Sequence, residues 1–92
     1  MMNSNEVTPN SEQEHSERVS GAFHSLEQKL GTRSVEEAQR LQDIREATLK
    51  RDRASVEKHL TATKLESNWL YEELMKHPMI SSIMRELSIM GF

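Results

Sequence analysis

Apolar positions thicken toward the end of the chain. Leu65 to Phe92 reads LESNWLYEELMKHPMISSIMRELSIMGF and holds the only Trp, the only Tyr, one of two Phe and four of the six Met. Within it Ile80, Ile83, Met84, Leu87 and Met90 recur at steps of three and four, while Ser81, Ser82, Arg85 and Glu86 fill the other side. That spacing predicts an amphipathic helix running to the end of the chain. Pro78 suits a first helical turn, where its missing N–H costs nothing, and its ring pushes His77 out of helical dihedrals. Leu65, Trp69 or Leu70, and Leu74 carry the same spacing upstream, so two helical segments are predicted to meet at Lys76 to Pro78. Gly91 can take the left-handed conformation that closes a helix, which would lay Phe92 onto Leu87.

The earlier pattern is thinner. Residues 1–10 are polar and aperiodic and carry Pro9, which marks a disordered lead-in; residues 11–92 read as a single helical domain. Ser11 with Glu14 has the spacing of a capping box, and Val19, Phe23, Leu26 and Leu30 follow at helical steps to a stop at Gly31. Gly21 inside this first helix costs about 1 kcal/mol relative to Ala, so the helix needs packing to persist. Ser34 and Glu37 form a second box, and Ala38, Leu41, Ile44, Thr48 and Leu49 continue an apolar stripe. No Gly or Pro follows until Pro78, which leaves room for a helix of some forty residues. The stripe vanishes for a full turn at Lys50 to Arg53, however, and Asp52 or Ser55 could cap a new segment carrying Val56 and Leu60. A long rod and an antiparallel hairpin both fit.

Composition narrows the class. Only 35% of the 92 residues are hydrophobic, against ~45–50% in globular chains when Gly is included. A domain of this size buries only about 60–65% of its unfolded surface, so a second copy or a partner is expected to complete the core. The fold class expected is all-α: an antiparallel hairpin or long helices with a short N-terminal helix, dimerising as a helical bundle or coiled coil. The interface is expected to run through Leu65, Trp69, Leu70, Leu74, Met79, Ile80, Ile83, Met84, Leu87, Met90 and Phe92. Met75, Met79, Met84 and Met90 at helical spacing read first as core filler, and the same unbranched side chains can also adapt to a partner's surface.

Charge and chemistry exclude more than they suggest. The net charge is −3, and although Arg40 to Lys64 is locally basic, Arg45, Lys50, Arg51, Arg53 and Lys58 alternate with Asp43, Glu46, Asp52 and Glu57. That is a solvated helix face laced with i, i+4 pairs, not a nucleic-acid surface. With no cysteine and with His15, His24, His59 and His77 scattered, no metal-ligand spacing occurs. Glu36–Glu37 and Glu72–Glu73 are sequence neighbours and point about 100° apart on a helix, which defeats a two-carboxylate device. No catalytic motif or phosphate-binding glycine pattern is present, so the expectation is a non-enzymatic protein without cofactor or small-molecule substrate. There is no apolar run of membrane-spanning length and the start lacks signal-peptide character, which makes a cytoplasmic protein the default.

The stretch Trp69 to Phe92, with His77, Ser81, Ile83 and the closing Ser88-Ile89-Met90-Gly91-Phe92, resembles the C-terminal helix of the TraM antiactivators, which closes on a Ser-Ile-apolar-Gly-Phe sequence. The resemblance covers roughly a quarter of the chain. It implies a small, all-helical, dimeric protein that binds a LuxR-type quorum-sensing activator and stops it acting at DNA. The residues alone equally allow a secretion chaperone or co-chaperone that shields an amphipathic helix, or a coiled-coil structural subunit.

Overall fold

The computed structural model describes residues 4–31 and 34–89, with side chains from residue 12 onward. Among the described residues the chain is all-helical: α1 (Ser4–Leu30), α2 (Val35–Leu49), α3 (Arg53–Glu66), α4 (Asn68–Lys76) and α5 (Pro78–Glu86). Helix α1 starts ahead of the Ser11 box, since each residue added to a nucleated helix gains a hydrogen bond at little further cost. At 27 residues it spans about 40 Å of a molecule 50 Å long. Gly31 ends it with φ +70° and its N–H on Glu27 O at 2.9 Å, as its place after Leu30 predicts.

The bare turn at Lys50 to Arg53 decides between rod and hairpin in favour of the hairpin. Arg51 takes φ +56°, its N–H reaches Thr48 O at 3.0 Å, and the Asp52 N–H reaches Ala47 O at 3.0 Å. These two bonds form a Schellman closure of α2. Asp52 then starts α3 by accepting from the Ser55 N–H at 3.3 Å and the Ser55 hydroxyl at 2.8 Å. One residue thus closes α2 and opens α3, so α2 folds back against α3 after a three-residue link. The hydroxyl bond, followed by the backbone one, holds the Asp52 carboxyl below its ordinary range.

A second closure shortens α5. The sequence predicts a helix to Met90 closed by Gly91; instead Ser88 takes φ +60°, with the Ser88 N–H on Arg85 O at 3.0 Å and the Ile89 N–H on Met84 O at 2.9 Å. Buried Ile89 supplies the apolar contact that accompanies this motif, a role predicted for Phe92. Met90, Gly91 and Phe92 lie outside the described residues. Both closures use a residue with a Cβ where glycine is favoured, which costs about 1–2 kcal/mol each. Arg51→Gly and Ser88→Gly are therefore each expected to stabilise the chain by about 1 kcal/mol, raising the thermal midpoint by about 4–8 °C; the Arg51 change also loses an exposed pair with Glu12 at 2.9 Å, worth well under 1 kcal/mol. An unchanged or lowered midpoint for Ser88→Gly counts against left-handed strain at that position.

The core closes within one chain. Val19, Ala22, Phe23 and Leu26 of α1 are buried together with Leu41, Ile44 and Ala47 of α2, Val56 and Leu60 of α3, Leu70 and Leu74 of α4, and Ile80, Ile83 and Met84 of α5. Helix α1 packs on both α2 and α5, which joins the hairpin to the C-terminal pair. Buried Thr48 and Thr63 turn their hydroxyls onto the carbonyls of Ile44 and His59, each at 2.7 Å, and so carry no unpaired donor into the interior. The accessible surface is 5692 Å² for a 10.7 kDa chain, close to the ~5,500 Å² of a compact monomer of that mass. Thin composition therefore does not require a second copy to bury the core.

Candidate interaction surface

The apolar stripe of α4 and α5 is consumed by the fold. Of the side chains expected at an interface, Leu70, Leu74, Ile80, Ile83 and Met84 are at most 1% exposed and face the chain's own interior. Trp69 and Leu87 are half-buried against that core. Leu65 at 81% and Met79 at 43% are the two that face solvent, while Met90 and Phe92 lie outside the described residues.

The upstream segment is not one helix. A break at Ser67, with φ −144° and ψ 72°, assigns Leu65 to α3 and Trp69, Leu70 and Leu74 to α4. Leu65 stands nine residues from Val56, which at 100° per residue is about 180° around the helix, and Val56 is fully buried. Val35 has the same nine-residue offset from buried Ile44 in α2 and is likewise 81% exposed. Val35 is no part of the predicted α2 stripe, and its offset from Ile44 places it opposite that stripe.

These two aliphatic side chains lie at the same end of the α2–α3 hairpin, where polar bonds tie it to the start of α4. Ser34 caps α2 by accepting from the Glu37 N–H at 3.1 Å, as the box predicts. The Glu37 carboxylate leaves the box: its Oε2 accepts from Trp69 Nε1 at 2.8 Å and from the Ser67 hydroxyl at 3.5 Å. Its Oε1 is buried with no hydrogen-bond partner among the described residues. An Arg40–Glu66 ion pair crosses the same end, and the Lys64 ammonium sits 5.6 Å from the centre of the Tyr71 ring. Glu37→Ala removes the acceptor facing Trp69 and is expected to cost about 1–3 kcal/mol; Glu37→Gln keeps a carbonyl acceptor and is expected to cost less than half as much. Urea unfolding followed through Trp69, the single tryptophan, separates the two variants, and equal losses would mean that charge rather than the hydrogen bond matters.

On another side, α1 is strapped to α5. Arg18 donates to both Glu86 oxygens at 3.0 and 3.1 Å and approaches Met79 Sδ at 4.0 Å. The hydrogen bonds from Arg18 depress the Glu86 carboxyl, but the pair is exposed and contributes little. Arg18, Ala22, Ser25, His77 and Met79 line a groove open to solvent, and Ser20, His24, Gln42 and Arg45 line a polar one between α1 and α2. Each lining includes a serine and a histidine, Ser25 with His77 and Ser20 with His24, and no hydrogen bond joins either pair among the described residues. Among the described residues no group of three His, Cys, Asp or Glu is placed to hold a metal, and no helix is long and apolar enough to cross a membrane.

Among the described residues the chain is thus an all-α protein of five helices, with its two most exposed large aliphatic side chains at one end of the hairpin. No family model, curated protein or solved structure matches it.

Proposed function

We propose that the chain is a non-enzymatic helical regulator that works by binding another protein through the Val35 and Leu65 end of the α2–α3 hairpin. The observation that carries this reading is the 81% exposure of both side chains at one end of the hairpin. Half-buried Trp69 lies in the helix that this end holds, and tryptophan is enriched where interfaces concentrate their energy. The partner favoured is a LuxR-type transcriptional activator, which the chain would keep from acting at DNA, as the TraM resemblance of Trp69 to Phe92 implies. A net charge of −3 with interleaved signs supports a protein partner over a nucleic acid. Binding of this kind requires no homodimer, because the core closes within one chain.

The test titrates the purified chain into a LuxR-type activator from the same organism bound to its DNA site. Release of the activator is expected, and Leu65→Asp should need at least about tenfold more protein while its melting curve stays near wild type, since an exposed substitution shifts stability by under about 0.5 kcal/mol. No release by the wild-type chain rejects the antiactivator role. Full potency of Leu65→Asp moves the surface elsewhere.

A further inference from the structure

His77 alone separates α4 from α5, serving as the C-cap of one and the N-cap of the other. Its backbone N–H closes α4 on the carbonyls of Glu73 and Leu74, at 3.2 and 3.3 Å, and its carbonyl accepts the Ser81 N–H at 2.8 Å. Its imidazole Nδ1 accepts the N–H of Ile80 at 3.3 Å, and Ile80 is fully buried. Only an unprotonated Nδ1 can accept, because in the imidazolium both ring nitrogens are donors. We propose that His77 is a protonation-controlled latch: the neutral ring holds the first turn of α5 closed, and the charged ring releases the Ile80 N–H and loosens α5.

The surroundings set the direction. From α1, Lys29 is close enough to act on the ring electrostatically, and Glu17 and Arg18 share its groove. From α4, Glu73 holds Lys29 at 3.6 Å, and Lys76 precedes His77 in the chain. Burial, and then the Lys29 charge, lower the His77 pKa from its ordinary 6.5. The folded protein therefore takes up this proton less readily than the unfolded chain. The stabilisation is complete above about pH 6.5 and is lost as pH falls through the lower folded value. The new charge would also sit at the positive end of the α5 dipole, while the negative end of α4 gains a favourable neighbour. The cost thus falls on α5.

Amide hydrogen exchange of the full chain at pH 7.5 and 5.5, corrected for intrinsic rates, tests the latch. The expected result is a loss of protection of about twofold or more at Ile80 in the wild type, the low end of a lost N-cap, with a smaller loss at Leu60 in α3. His77→Asn, whose side-chain oxygen caps without titrating, should keep Ile80 protection equal at the two pH values; His77→Ser serves the same purpose should the Asn variant fail to fold. His15, whose Nε2 pairs with Thr48 O at 3.0 Å, is a second histidine with a side-chain hydrogen bond, and His15→Gln should leave the effect intact. Equal protection at both pH values in the wild type, or an undiminished fall in both capping variants, overturns the proposal.

Discussion

Replacing Ile83 with Asp should abolish the folded state at 25 °C. Ile83 is 1% exposed and belongs to the core in which α5 meets α1 and α4. An unpaired carboxylate there costs several kcal/mol even after it takes up a proton, and the lost aliphatic packing adds about 2–5 kcal/mol. A chain of 92 residues has roughly 5–14 kcal/mol in total, so the combined loss reaches the whole. Far-UV circular dichroism should show most of the helical signal gone at every protein concentration. Arg85→Ala, on the exposed side of the same helix, should change stability by under about 0.5 kcal/mol. A cooperative melt within a few degrees of wild type for the Ile83 variant would mean that α5 is not packed as described.

Phe23→Ala should be the most damaging truncation in α1, at about 3–5 kcal/mol, or a fall of at least about 12 °C in the thermal midpoint. Phe23 is 1% exposed and stands between Val19 and Leu26 on the one face of α1 that is buried. The ion pairs that also hold this helix, Arg18–Glu86, Lys29–Glu73 and Arg51–Glu12, each have at least one exposed partner and cannot replace that packing. Urea unfolding gives the loss directly. A change below about 1 kcal/mol would show that α1 rests on the surface and contributes little to the core.

The regulatory reading and the latch act on different parts of the molecule. Val35 and Leu65 lie at the hairpin end, whereas His77 governs the elbow whose second arm carries Ile80, Ile83 and Met84. Partner binding that is lost in Leu65→Asp but unchanged from pH 7.5 to 5.5 would keep the first and separate it from the second. The apolar stripe of α5 is reachable by a partner only when α5 moves off α1, because all three of its side chains are at most 1% exposed.

The sequence by itself determined the local events. Pro78 cannot continue a preceding helix, so the α4–α5 joint falls at His77. Gly31 and Ser34 mark a stop and a start because left-handed backbone and orphan N–H groups call for those residue types. Helical spacing named Val19, Phe23, Leu26, Ile80, Ile83 and Met84 as apolar faces, and all are buried. What covers those faces was decided by the tertiary structure: α1 closes over α5, and the stripe expected to meet a second copy or a partner is internal. The break at Ser67 has no proline or glycine to announce it, and its hydroxyl and the neighbouring Trp69 indole instead meet Glu37, 30 and 32 residues earlier in the chain. Leu65 ends up on the α3 side of that break, opposite buried Val56 and facing solvent. Ser88 closes α5 before Gly91 because buried Ile89 anchors the closure from the core. Periodicity reports which side of a helix is apolar, whereas the choice between core and surface depends on distant segments, which no local pattern encodes.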